Sequence, residues 1–230
     1  MEIKSTNMKD FVAIPDIISL LNMSFGLLAI IAAINNHFDI SSIFIIIAII
    51  FDSIDGYVAR KLNREDKYGF GKNIDSLSDI VSFGVAPSIL LYMIGTSTSN
   101  TPTLLLILTS LLITACGVLR LCRYNILSDH SNIKGFIGFP IPGIALLLSL
   151  FYLTKLFNIY LAIILMIITS FLMISNVKYE KVQDIKIISF SFILVILTII
   201  TFYTSYINIP GIILLLFVIY HLLISLFKNY

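Results

Sequence analysis

Eight apolar runs, separated by short polar connections, leave this chain few folds to choose from. A helix that crosses a bilayer needs ~20 mostly apolar residues. Runs at 16–34, 40–60, 74–95, 102–122, 137–153, 157–175, 186–204 and 210–227 meet or approach that length. Charged residues make up 12% of the 230, against about 25% in a soluble domain. In lipid every backbone N–H and C=O must be bonded within the protein, which restricts spanning segments to helices or closed barrels. The runs are continuously apolar and do not alternate, which argues against a barrel. The expected fold is an all-α integral membrane protein, a polytopic bundle of about eight transmembrane helices.

The positive charges orient that bundle. Lys4 and Lys9 precede the first run, and Arg60, Lys61, Arg64, Lys67 and Lys72 lie between the second and third. Arg120, Arg123 and Lys134 follow the fourth, Lys178, Lys181 and Lys186 lie near the connection of the sixth to the seventh, and Lys228 follows the eighth. With eight spans all of these fall on one side and only Lys155 falls on the other. The excess of Lys and Arg marks the cytoplasmic side. The expectation is a multi-pass protein of the cytoplasmic membrane with both termini inside. Residues 1–15 read as an interfacial segment ahead of the first span.

Against this apolar background stand four aspartates, Asp52 and Asp55 at the end of the second run, Asp75 and Asp79 at the start of the third. A carboxylate in a bilayer costs ~2.5–3.5 kcal/mol on insertion scales, so four uncompensated ones would cost on the order of 10 kcal/mol. Spacings of three and four place each pair on one helical face, and the short connection makes the two helices antiparallel neighbours. Facing pairs of carboxylates form a hard oxygen site suited to Mg²⁺ or Mn²⁺, with Ca²⁺ a third candidate. Two divalent cations would balance four carboxylates, an arrangement that recurs in transfer at phosphorus. Asp52, Asp55, Asp75 and Asp79 are therefore the expected metal ligands.

Small residues accompany the aspartates. Gly56 and Ala59, and Gly71 on the next helix, leave room for a phosphate to approach the backbone. Close packing between helices is the alternative use of such residues. Arg60 can form a fork with phosphate oxygens. Arg120 and Arg123, three apart, either anchor the span end at the interface or face one pocket.

The run Asp52-x2-Asp55-Gly56-x2-Ala59-Arg60, then Gly71-x3-Asp75-x3-Asp79, resembles the signature of the CDP-alcohol phosphatidyltransferases. Those membrane enzymes move a phosphatidyl-type group from a CDP-lipid to an alcohol and release CMP. The loop 61–70 is longer here than is usual in the family. Further stretches are similar to the serine-using branch of the family, the phosphatidylserine synthases: Asp75 to Pro87, Arg120-Leu121-Cys122-Arg123-Tyr124-Asn125, Phe136 to Pro142, and Pro15, Asn22 and Gly26 in the first span.

The resemblance implies a family core over 16–175, formed by the first six spans, with 176–230 as additional C-terminal helices. It implies CDP-lipid contacts from Asn22, Gly56, Ala59, Arg60, Gly71 and Ser76, and serine contacts from Arg120 and Arg123. Asp79 becomes the catalytic acceptor of the serine hydroxyl proton. The implied partners are CDP-lipid, L-serine, the CMP product, membrane lipid and a second copy of the chain in a homodimer, with no nucleic acid. Direct displacement is expected, because no His accompanies Ser76, Ser78 or Ser82 to activate a nucleophile. Two alternatives stand beside this reading: the same fold acting on inositol phosphate or glycerol phosphate, and a cation transporter, since carboxylates in membranes also mark ion pathways.

Overall fold

The computed structural model describes residues 7–62, 66, 68–98, 101–130, 135–179 and 185–227. Lys4, Arg64, Lys67, Lys134, Lys181 and Lys228, and the side chain of Lys186, lie outside the described residues.

Helices α1 (Ile14–Ile34) and α2 (Phe38–Lys61) form an antiparallel hairpin. Asp16 starts α1 by accepting the Ala13 N–H at 2.8 Å, with Pro15 in the first turn, where a missing N–H costs nothing. Asn36, at φ 62°, reverses the chain. The stripe Ala29, Ala32 and Ala33 on α1 is buried, and Ser41 of α2 donates to the Ala29 carbonyl at 2.8 Å. Small side chains let two backbones approach, and a hydroxyl bonds across them, as membrane helix pairs require.

The third expected span is a compound element. Helix α3 (Phe70–Asp79) leads into a π-helical turn (Ile80–Val85), which leads into α4 (Ala86–Thr98). Pro87 has no N–H for the helix ladder and its ring would crowd the preceding turn. The wider π turn immediately before it accommodates both defects. Helix α5 (Thr103–His130) packs on α4 through hydroxyls: Ser88 reaches Thr114 Oγ1 and donates to the Ser110 carbonyl, both at 3.0 Å, and Ser110 donates to the Ser88 carbonyl at 2.9 Å.

The fifth span starts later than its expected boundary of 137. Phe136–Ile137 form a short strand, β1, paired antiparallel with β2 (Lys178–Tyr179), and Gly138 turns the chain at φ 80°. Helix α6 (Ile141–Leu153) begins only after this turn. Its 13 residues reach about 20 Å, short of the ~30 Å hydrocarbon core. It is apolar on every side because it is the buried centre of the bundle, with Ile144, Ala145, Leu147, Leu148 and Leu150 all buried. Helices α7 (Ile159–Ile174), α8 (Ile185–Thr204) and α9 (Ile209–Phe227) complete the chain.

Among the described residues, five helical stretches are long and apolar enough to cross a membrane, and three shorter apolar helices accompany them. All eight expected runs are helical, so this is an all-α, multi-pass membrane protein. The last hairpin joins the common core: Leu222 of α9 lies in the main apolar cluster, and Leu194 and Leu214 pack with Leu150 and Leu153 of α6.

Alternation of direction gathers the start of α1, the end of α2, the start of α3, the end of α5 and the β1–β2 pair at one end of the bundle. The N-terminal segment joins them: Phe11 packs its ring 5.4 Å from Phe70 and 5.7 Å from Tyr68.

Candidate active site

Three of the four aspartates converge at that end. Carboxylate oxygens of Asp52, Asp55 and Asp75 all lie within 4.8 Å of one another. Asp52 and Asp55 project from the last turns of α2, and Asp75 from α3 opposite them. Asp79, one turn deeper on α3, is buried. Like charges this close in apolar surroundings repel strongly. Hard oxygen donors clustered in this way have the chemistry to hold a divalent cation, so the residues present fit such a group.

Helix α1 supplies the wall behind the carboxylates. Ser19 Oγ donates to Asp55 Oδ2 at 2.6 Å, and Asn22 Nδ2 donates to Asp79 Oδ1 at 3.1 Å. Ser82, in the π turn, donates to the Asn22 carbonyl at 2.9 Å. That contact depends on Gly26, where a Cβ would lie only 2.6 Å from the Ser82 Cα.

A cleft of about 200 Å³ opens beside the carboxylates, and Asp55, Gly56, Ala59, Gly71 and Asp75 all line it. At Gly56 an added Cβ would meet nothing within 4 Å except Arg60 Nη1 at 3.4 Å. Gly56 therefore faces open space, and close helix packing is not its use. Arg60 is exposed, with its guanidinium reaching back over Gly56.

The two arginines of α5 part company. Arg120 is 5% exposed, and its Nε has no hydrogen-bond partner among the described residues. Arg123 turns away and donates to three carbonyls: Ile174 at 2.9 Å, Met173 at 2.9 Å and Ile137 at 3.0 Å. Ser76 does not line the cleft, and its Oγ accepts a 2.8 Å bond from Asn125 Nδ2.

Four residues that sequence reasoning passed over also line the cleft: Asp16, Ser19, Asp66 and Lys72. Ser19 was legible, because it shares a helical stripe with Asn22 and Gly26. Asp66 was not, because it lies in the irregular connection, where it accepts the Lys72 N–H at 3.0 Å.

The profile of the CDP-alcohol phosphatidyltransferases matches residues 12–219, which takes in every side chain of the site. The chain belongs to that family. Among curated relatives of this phosphatidyltransferase, an archaetidylserine synthase of Methanothermobacter thermautotrophicus is 45% identical over 173 residues, 75% of this chain and 72% of the relative. A CDP-diacylglycerol–serine O-phosphatidyltransferase of Methanocaldococcus jannaschii is 44% identical over 176 residues, 76% of this chain and 77% of the relative. Another of the same name from Bacillus subtilis is 37% identical over 169 residues, 72% of this chain and 89% of the relative. Family membership makes the chain an enzyme and removes the cation-transporter alternative.

Proposed function

We propose that this phosphatidyltransferase moves a phosphatidyl or archaetidyl group from a CDP-lipid to the hydroxyl of L-serine and releases CMP. The observation that carries the reading is the meeting of Asp52, Asp55 and Asp75 within 4.8 Å at a cleft that Asp55 and Asp75 line together with Gly56, Ala59 and Gly71. The names of the relatives support serine as the acceptor. The lipid arrives sideways from the bilayer with its diphosphate at the cleft. Gly56, Ala59 and Gly71 leave space for the nucleotide, and Arg60 neutralises phosphate charge from above. Asp52, Asp55, Asp75 and Asp79 would hold divalent cations, two per site and of the Mg²⁺ or Mn²⁺ type, which neutralise charge on the transferring phosphoryl oxygens when bound.

Asp79 takes the proton of the serine hydroxyl as the serine oxygen bonds to the lipid-side phosphorus. The bond from that phosphorus to the CMP oxygen breaks in the same displacement. Asn22, bonded to Asp79 Oδ1, fixes the angle of the carboxyl, since a weak base must act by position. Arg120, buried with an unpartnered Nε, receives the serine carboxylate. Arg123, its guanidinium already bonded to three carbonyls, supports the site and does not touch the amino acid.

The distribution of Lys and Arg supports a cytoplasmic-membrane protein with both termini and the site inside. The family resemblance also implies a homodimer, with the first six spans carrying the chemistry and α8–α9 buttressing α6.

The test is CMP release by the purified protein with CDP-diacylglycerol or CDP-archaeol and L-serine, beside glycerol phosphate and inositol phosphate, over a scan of Mg²⁺, Mn²⁺ and Ca²⁺. Serine-dependent release that EDTA abolishes is the expected result. Release with another alcohol and none with serine would refute the acceptor.

A further inference from the structure

Arg120 is buried with an unsatisfied N–H, yet it sits in an ordered place, and aromatic rings explain how. Its guanidinium carbon lies 5.4 Å from the centroid of the Tyr124 ring and 5.6 Å from that of Phe136. The two rings are themselves 5.9 Å apart, so the cation caps a pair of adjoining π faces. A cation–π contact attracts the charge without consuming the in-plane N–H donors, which are the ones that form a fork with a carboxylate. Tyr124 comes from the next turn of α5. Phe136 comes from β1, which has no helix to hold it.

What holds β1 is Arg123. Its Nη2 bridges the Ile137 carbonyl on β1 and the Met173 carbonyl at the end of α7, while Nη1 takes the Ile174 carbonyl. Pairing of Phe136 with Tyr179 across the two-stranded ladder, and the bond from Gly138 N–H to the Val177 carbonyl at 2.8 Å, complete the clasp. One arginine thus fixes the strand whose ring orients the other.

We propose that Arg123, Tyr124 and Phe136 are positioning residues that hold Arg120 with its Nε vacant for the acceptor's carboxylate. The inference rests on the reading of serine as acceptor and deepens it. It assigns discrimination between amino acids and simple amino alcohols to the aromatic pair and its clasp. Neither ring touches the substrate.

The experiment compares wild type, Phe136→Leu, Phe136→Tyr, Tyr124→Leu and Arg123→Lys, with L-serine and with ethanolamine, the same alcohol without a carboxylate. Loss of one cation–π contact is expected to raise the KM for serine about tenfold in Phe136→Leu and Tyr124→Leu. The KM for CDP-lipid stays within about twofold of wild type on the same grounds. The preference for serine over ethanolamine falls by about the same tenfold factor. Phe136→Tyr, which keeps a π face, restores the wild-type values, and Arg123→Lys, unable to bridge three carbonyls, behaves like Phe136→Leu. Equal losses for serine, ethanolamine and CDP-lipid would overturn the positioning role, as would an unchanged serine preference in Phe136→Leu. Failure of the wild type to use serine at all would instead overturn the acceptor reading, and this inference with it. Thermal unfolding of each variant in detergent, unchanged where only serine KM moves, separates positioning from loss of fold.

Discussion

At the connection between α8 and α9, Asn208 is 0% exposed, and every bond it can make is made. Its Nδ2 donates to the carbonyls of Leu153 and Thr198 at 2.9 and 2.8 Å, and its Oδ1 accepts from Thr201 Oγ1 at 2.7 Å and from the Gly211 N–H at 3.0 Å. Nearby, Lys155 donates to the Ser205 carbonyl and lies over the Phe202 ring, and Tyr203 donates to Asp39. At the other end of the same bundle, Asn22 is equally buried, but of its side chain only Nδ2 is bonded, and its Oδ1 has no partner among the described residues. Arg120 leaves Nε unbonded there, and three carboxylates face one another. Buried polar groups are normally satisfied, and those left open inside a low-dielectric bundle are costly. The closed set ties α6, α8 and α9 together. On the proposed reading, the open set is completed by what binds.

That contrast predicts opposite responses to mutation. The largest effect belongs to the open end: Asp79→Asn should lower turnover by about a hundred- to ten-thousand-fold, the range of a lost general base, with CDP-lipid KM little changed. Near-normal CMP release by that variant would break the comparison. At the closed end, Asn208→Ala should cost about 2–3 kcal/mol of stability through carbonyls left unpaired, read by denaturant unfolding in detergent. Its kcat and both KM values, per folded enzyme, should match wild type.

The smallest effects give the sharpest separation, between two glycines. Gly26→Ala drives a methyl into the Ser82 backbone and should destabilise by about 1–3 kcal/mol, the usual cost of overpacking. Gly56→Ala meets open cleft and should gain about 0.5–1 kcal/mol from better helix propensity while raising the KM for CDP-lipid. A Gly56→Ala enzyme that binds CDP-lipid normally would return that residue to a role in packing.

Much of this was readable from the chain. All eight apolar runs became helical, because lipid offers the backbone no other partners. The i, i+3 and i, i+4 spacings of the aspartates placed each pair on one face, and the short connection made those faces meet. Asn22, and the role of Asp79 as proton acceptor, came from the resemblance alone, and the bond between the two joins residues 57 positions apart. The late start of α6 escaped notice, since an apolar run reads alike as strand or helix when the deciding feature is a glycine at positive φ. The π turn was equally hidden, although Pro87 is a reason for it.

Composition and periodicity thus determined the class of fold, the helical runs and the acidic centre, since solvent and helix geometry act on every residue locally. Tertiary structure alone decided that Arg123 bonds carbonyls 14, 50 and 51 positions away while Arg120, one turn earlier, stays open. It also decided that Gly56 faces a cleft where Gly26 faces a neighbouring helix. Identical spacing and identical side chains carry no record of what will stand opposite them. Only packing supplies or withholds the partner, and that choice separates the residues of the frame from those of the site.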